Sequence, residues 1–149
     1  MGDRTANRKP DWDHLSSVLL IDDDITDLFV AEKEIRAGLG EVTIHKFVNA
    51  PEALSMLKKI VEPGEFPGLI IVDMKLPGMD GATFLKKLQK IKHFNPKKCC
   101  VMLLSAYFGY DEGYDIERLA GDFPFVSQCL EKPFKAAMLN GSLGGLSQN

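Results

Sequence analysis

The stretch Leu19-Leu20-Ile21-Asp22-Asp23-Asp24-Ile25-Thr26 sets three aspartates directly behind an apolar run. Val18 to Ile21 has the length and composition of a strand buried on both faces. From Ile25 the period changes: Ile25, Leu28, Phe29, Glu32, Ile35 and Leu39 follow helical spacing, with Glu32 the only polar member. Strand gives way to helix at the aspartates, which places the carboxylates at the carboxyl end of the strand. Asp24, the last of the three, stands where a helix cap belongs.

The same alternation repeats along the chain. Thr43 to Val48 reads as a second strand, followed by Asn49 as a cap and by a helix with Ala53, Leu54, Leu57, Ile60 and Val61 in one stripe. Pro51 is tolerated in its first turn, and Pro63-Gly64 stops it. Leu69 to Val72 is the strongest strand signal and ends in Asp73; Leu76-Pro77-Gly78-Met79-Asp80-Gly81 is a loop by its turn residues. A third helix turns Phe84, Leu85, Leu88 and Ile91 inward. Cys100 to Leu104 is a buried strand ending in Ser105, then comes a loop with Tyr107, Phe108 and Tyr110 and a helix from about Glu112 to Ala120. Val126 to Leu130 makes the fifth strand, closed by Lys132-Pro133.

Strands and helices alternating at this spacing predict an α/β fold, a (βα)5 doubly wound parallel sheet of five strands covered on both faces. Sites in such open sheets form at the carboxyl ends of the strands. Asp22, Asp23, Asp73, Ser105 and Lys132 come from four strands and all fall at that edge.

Composition bounds the rest. A chain of 149 residues with 45% hydrophobic residues fits one domain with a genuine core. A net charge of -3 gives no reason to expect nucleic acid as a partner. Lys86, Lys87, Lys90, Lys92, Lys97 and Lys98 cluster, but their helical spacing and the Asn95-Pro96 loop read as a solvated face. Cys99, Cys100 and Cys129 lack the spacing of a zinc site or a disulfide framework and read as reduced, buried thiols. With no signal-peptide core and no apolar run of membrane length, the expectation is a soluble cytoplasmic protein that neither spans nor binds a membrane. Residues 1–17 read as an N-terminal extension carrying the sole tryptophan, Trp12, residues 18–140 as the domain, and residues 141–149 as a Gly-rich tail with no output domain. Phe134, Met138, Leu139 and Leu143 suggest a last amphipathic helix, kept short by Gly141, Gly144 and Gly145.

Three carboxylates about 5 Å apart repel by roughly 3 kcal/mol per pair at an effective dielectric near 20. Lys132 brings one positive charge to this edge, and a hard divalent cation liganded by oxygens, Mg²⁺ above all, would bring the rest. A magnesium site beside a lysine and a hydroxyl suits phosphoryl transfer. Asp22-Asp23-Asp24-Ile25-Thr26 matches the Asp-x-Asp-x-Thr of haloacid-dehalogenase-type phosphatases, whose nucleophile is the first aspartate. That family needs further aspartates after the lysine, and residues 133–149 contain no Asp or Glu.

The chain instead resembles the receiver domains of bacterial two-component response regulators, which are CheY-like, from about Val18 to Phe134. The resemblance rests on an acidic pair after strand one, Asp73 followed by Leu76-Pro77-Gly78-Met79-Asp80-Gly81, Ser105-Ala106 after strand four, and Lys132-Pro133-Phe134 after strand five. It implies a flavodoxin-like sheet of order 2-1-3-4-5, the order for which a receiver domain is a standard example. Asp73 would be the nucleophile and phosphoacceptor, taking its phosphoryl group from a sensor histidine kinase or phosphotransfer protein. Asp22, Asp23, Asp73 and the main-chain carbonyl of Lys75 would hold Mg²⁺. Lys132 would pair with phosphoryl oxygens across a cis Lys132-Pro133 bond, and Ser105 would act as the switch hydroxyl.

The resemblance further implies a phosphoacceptor signalling protein rather than an enzyme with an external substrate: a single-domain regulator, monomer or weak homodimer, acting on a downstream protein target. Lys75 and Tyr107 stand where the family tunes acyl-phosphate lifetime, here toward a long one. The chain departs from the family at Cys129, where receivers carry a switch Tyr or Phe. A receiver-like module that docks without phosphorylation is the alternative.

Overall fold

The computed structural model of the chain describes residue 12, residues 15–106 and residues 116–140. Five strands run parallel: β1 (Ser17–Ile21), β2 (Thr43–Phe47), β3 (Leu69–Asp73), β4 (Cys100–Ser105) and β5 (Val126–Glu131). Their order across the sheet is β2-β1-β3-β4-β5, as the resemblance to receiver domains implies. Four helices connect them: α1 (Ile25–Leu39), α2 (Ala50–Lys58), α3 (Gly81–Leu88) and α4 (Ile116–Asp122). Short 3-10 turns occupy Pro63–Glu65 and Ala136–Asn140.

The alternation of side chains along each strand divides the core in two. Leu19, Ile21, Ile70, Val72, Val101, Leu103 and Cys129 face α2, α3 and α4, where Leu54, Leu57, Phe84, Leu85, Leu88 and Leu119 meet them. Val18, Leu20, Leu69, Ile71, Met102, Leu104 and Leu130 face α1 and the C-terminal turn, where Leu28, Ala31, Ile35, Phe134 and Leu139 meet them. Both faces are dry, which is why the central strands read as unbroken apolar runs.

Local chemistry sets the helix ends. Asp24 Oδ1 accepts from the N–H groups of Thr26 and Asp27 at 2.8 and 3.2 Å and starts α1; Gly40, at φ 78, ends it. Asn49 caps α2 through Glu52 N, and Asp80 caps α3 through Thr83 N. Gly81 has no room for a side chain, since a Cβ there would lie 3.0 Å from the Met74 Cα and 3.3 Å from the Met74 carbonyl oxygen. The loop after Asp73 is thereby folded against its own strand.

The structure corrects several local expectations. Ile25 and Phe29, expected to turn inward on α1, are 73% and 58% exposed. The buried stripe is Leu28, Ala31 and Ile35. α2 ends at Lys58, so Val61 leaves the expected stripe and is exposed, and Val48 falls past the end of β2. In place of a last α-helix the described residues hold the 3-10 turn Ala136–Asn140, while Leu143 and residues 112–115 of the expected fourth helix lie outside them. Lys86, Lys87, Lys90, Lys92, Lys97 and Lys98 are exposed, and the three cysteines are free, with Cys99 and Cys129 buried and Cys100 half-buried.

The amino edge of the sheet is clasped by the segment before β1. The Trp12 indole N–H donates to the Leu139 carbonyl at 3.2 Å, the Ser16 hydroxyl donates to the Phe66 carbonyl at 2.7 Å, and Leu15 covers Gly68. Among the described residues no helix is long and apolar enough to cross a membrane.

Candidate functional site

The carboxyl edge gathers the polar residues that the core excludes. β1 delivers Asp22, whose N–H donates to the Phe47 carbonyl at 3.0 Å, so the chain leaves the sheet with Asp22 still pinned to β2. Asp22 Oδ1 then accepts from Asp24 N at 2.9 Å, tightening the turn into α1. β3 ends on Asp73, whose Oδ1 accepts from Lys75 N at 3.1 Å. β4 ends on Ser105 and β5 on Glu131, paired in register, and Lys132 N donates to the Ser105 carbonyl at 2.8 Å. This ladder sets Lys132 opposite Asp73, and the Lys132-Pro133 bond is cis.

The Lys132 ammonium is the hub. Its Nζ lies 2.9 Å from Asp22 Oδ2, 2.8 Å from Asp27 Oδ2 and 3.0 Å from Asp73 Oδ2. Asp22 and Asp73 are only 4% and 6% exposed. Asp23 is exposed, yet Asp22, Asp23 and Asp73 each offer an oxygen within 4.8 Å of the others. Three carboxylate oxygens at that spacing, two of them buried, make a hard donor set of the kind that suits Mg²⁺.

Electrostatics follow from this crowding. Burial pushes the Asp22 carboxyl up to about 6; Lys132 and the Asp24 N–H oppose the shift, and the neighbouring Asp73 charge adds to it. Burial alone would lower the Lys132 pKa, but the hydrogen bonds to Asp27, Asp22 and Asp73 outweigh it and hold the ammonium above its ordinary value. Lys132 is a fixed positive charge here. A cluster with four carboxylates and one ammonium favours a further cation, and behind it an anion such as a phosphoryl group.

The site residues singled out from the sequence fall at one edge of the sheet. Asp22, Asp23, Asp73 and Lys132 converge; Ser105 is buried at the end of β4 on the same edge; Lys75 is exposed, its N–H turned to Asp73. Asp24 is the helix cap that its position predicts. Cys129 pairs with Leu103 inside the α3–α4 half of the core, where burial pushes its thiol up to about 11. Tyr107, Phe108 and Tyr110 lie outside the described residues. Asp27 is the member of the cluster that sequence reasoning misses. It sits in the first turn of α1, where an acidic residue reads as a complement to the helix dipole, and its partner Lys132 is 105 residues away.

Comparison with known proteins agrees with this architecture. The family model of the response regulator receiver domain matches residues 18–143. The Haemophilus influenzae transcriptional regulatory protein CpxR homolog is 30% identical over 120 residues, covering 80% of this chain and 45% of that protein. The Helicobacter pylori sensor histidine kinase CheAY is 38% identical over 77 residues, covering 52% of this chain and 9% of that protein. The chain thus spans less than half the length of either curated relative. Among solved structures, a two component response regulator from Cytophaga hutchinsonii superposes with a TM-score of 0.70 at 29% identity, covering 85% of this chain and 92% of that one. The chemotaxis response regulator CheY4 of Vibrio cholerae superposes with a TM-score of 0.64 at 21% identity, covering 87% and 96%, and shows the fold alone. With most of its length matched by that family model, and with the sheet order to match, the chain belongs to the response regulator receiver domain family.

Proposed function

We propose that Asp73 accepts a phosphoryl group from a phosphohistidine in a Mg²⁺-dependent step, and that the acyl phosphate changes which protein the domain binds. The observation that carries this reading is the Lys132 ammonium 3.0 Å from Asp73 Oδ2, beside the oxygen trio of Asp22, Asp23 and Asp73. In the step, an Asp73 oxygen bonds to phosphorus as the donor's P–N bond breaks, and the imidazole leaves after taking a proton. Mg²⁺ held by Asp22, Asp23, Asp73 and the Lys75 carbonyl would neutralise phosphoryl oxygens. Lys132 contributes the permanent charge on the opposite side, and catalysis is positioning and charge neutralisation.

Ser105 closes the site on the β4 side, where its hydroxyl serves to bond the phosphoryl group and carry the loop after β4 with it. Cys129, a small thiol in place of a ring, leaves the Ser105 hydroxyl as the main responder to the phosphoryl group. The exposed Ile25, Phe29 and Val48 stand near the carboxyl edge and suit the apolar part of a phosphodonor surface that must bring its histidine to Asp73.

The test is incubation with acetyl phosphate and Mg²⁺ followed by intact mass. A gain of about 80 Da in the wild type, absent in Asp73→Asn and after EDTA, is expected for an acyl phosphate. A label that survives in Asp73→Asn sinks the assignment, and no label from any donor turns the reading toward a docking module that works without phosphorylation.

A further inference from the structure

Lys132 has three N–H donors, and three carboxylates meet them at 2.8 to 3.0 Å. The three acceptors are not equivalent. Asp22 and Asp73 also belong, with Asp23, to the trio whose oxygens converge for a cation, and Asp27 does not. Asp27 comes from a different element, the first turn of α1, and reaches Lys132 across 105 residues of sequence. Its own backbone is held by the Asp24 carboxylate. The crevice beside the pair, lined by Asp27, Val30, Leu104, Lys132, Pro133 and Phe134, has a volume of about 10 Å³, room for one water at most. The contact lies at the rim of the site, with the Lys132 side chain 16% and that of Asp27 38% exposed.

We propose that Asp27 is a positioning residue that holds the Lys132 ammonium in place while Asp73 becomes an acyl phosphate; this rests on the phosphoacceptor reading above. Esterification removes the charge of Asp73: its oxygen bonds to phosphorus, the donor's bond to phosphorus breaks, and the leaving group departs with the bonding pair. Asp22 is shared with the cation site. Asp27 alone among the three keeps an acceptor oxygen on the ammonium with no second task, and it exchanges no proton with Lys132 in the step. Without it, a flexible four-carbon side chain would be held by Asp22 alone, a carboxylate shared with the cation site. The first turn of α1 is also linked mechanically to the reaction through this carboxylate.

An acidic residue in the first helical turn also complements the helix dipole, so the test separates that role from positioning. Initial labelling rates with acetyl phosphate are measured for wild type, Asp27→Ala and Asp27→Asn, alongside calorimetric Mg²⁺ affinity and circular dichroism to verify folding. Asp27→Ala is expected to label about tenfold more slowly, with Mg²⁺ affinity within about twofold of wild type because no oxygen of the trio is touched. Asp27→Asn keeps an oxygen facing Lys132 without the charge, and is expected to recover to within about threefold of wild type. A dipole-only role predicts wild-type rates in both variants, and that result overturns the proposal. Asp27→Asn as slow as Asp27→Ala overturns it too. If wild type labels and the variants match it, only this inference falls; if wild type does not label, the phosphoacceptor reading falls and takes this one with it.

Discussion

The two edges of the sheet are built on opposite principles. At the amino edge Trp12, Leu15 and Ser16 cover strand starts with apolar contact and two side-chain hydrogen bonds to carbonyls. At the carboxyl edge Asp22, Asp27 and Asp73 surround a single ammonium with Asp23 beside them, and burial drives the Asp22 carboxyl toward its neutral form. One edge adds to stability; the other holds a buried carboxylate, Asp22, whose charged form burial disfavours. Substitutions should therefore act with opposite sign at the two edges, while the core between them behaves as in any tightly packed protein.

The largest expected effect lies in that core and calibrates the comparison. Phe84 is fully buried on α3 within the core on that face of the sheet, and Phe84→Ala should cost about 3 to 5 kcal/mol in urea unfolding. A loss below about 1 kcal/mol would mean the α3 face is looser than its burial indicates.

Next comes the carboxyl edge, with the sign reversed. The Asp22 pKa is raised in the folded chain to about 6 from 3.8. Protonated Asp22 is tolerated below the unfolded value, so its favourable contribution is complete there and is lost as pH rises through about 6. Metal-free wild type should thus lose stability between about pH 4 and pH 7, and Asp22→Asn should remove most of that loss, gaining on the order of 1 to 3 kcal/mol at about pH 7.5. The same substitution should weaken Mg²⁺ binding. Saturating Mg²⁺ at about 100 times its Kd should return about 2.7 kcal/mol to wild type. Asp22→Asn less stable than wild type without metal at that pH would break the contrast between the edges.

The smallest effect lies at the amino edge. Trp12→Phe keeps an aromatic ring and loses the indole N–H to Leu139, which should cost about 1 kcal/mol by thermal unfolding and leave the labelling rate unchanged. A changed rate would show that the clasp reports to the phosphorylation edge, against the division drawn here. The cysteines sharpen the same picture: burial holds all three thiols above their ordinary value, so native protein at about pH 8 should resist iodoacetamide, with half-buried Cys100 modified before Cys99 and Cys129.

Much of this is legible in the sequence, for identifiable reasons. Buried parallel strands are apolar runs, and the residue that ends each one is polar because it leaves the core; the order of residues alone therefore assigns Asp22, Asp73, Ser105 and Lys132 to one edge. Caps are readable at Asp24 and Asn49 because their chemistry is local. What depends on tertiary packing is not. Ile25 and Phe29 satisfy a helical period, but the face that α1 buries against the sheet runs through Leu28, Ala31 and Ile35. Asp27 looks like one more acidic residue in a first turn, and only the return of β5 brings Lys132 to it. The C-terminal segment carries apolar spacing and glycines in conflict, and it forms a 3-10 turn anchored by Leu139 on Gly38 and by the Glu34 carboxylate accepting from Ala136 N.

The central claim is that the covalent chemistry belongs to Asp73 and that Asp22 and Asp23 serve it. The most direct measurement traps the acyl phosphate after reaction with acetyl phosphate and Mg²⁺, by borohydride reduction to the alcohol, and maps the modified residue by peptide mass spectrometry. Modification at Asp73, abolished by EDTA, is the predicted result; modification at Asp22 or Asp23 with Asp73 intact would contradict the account.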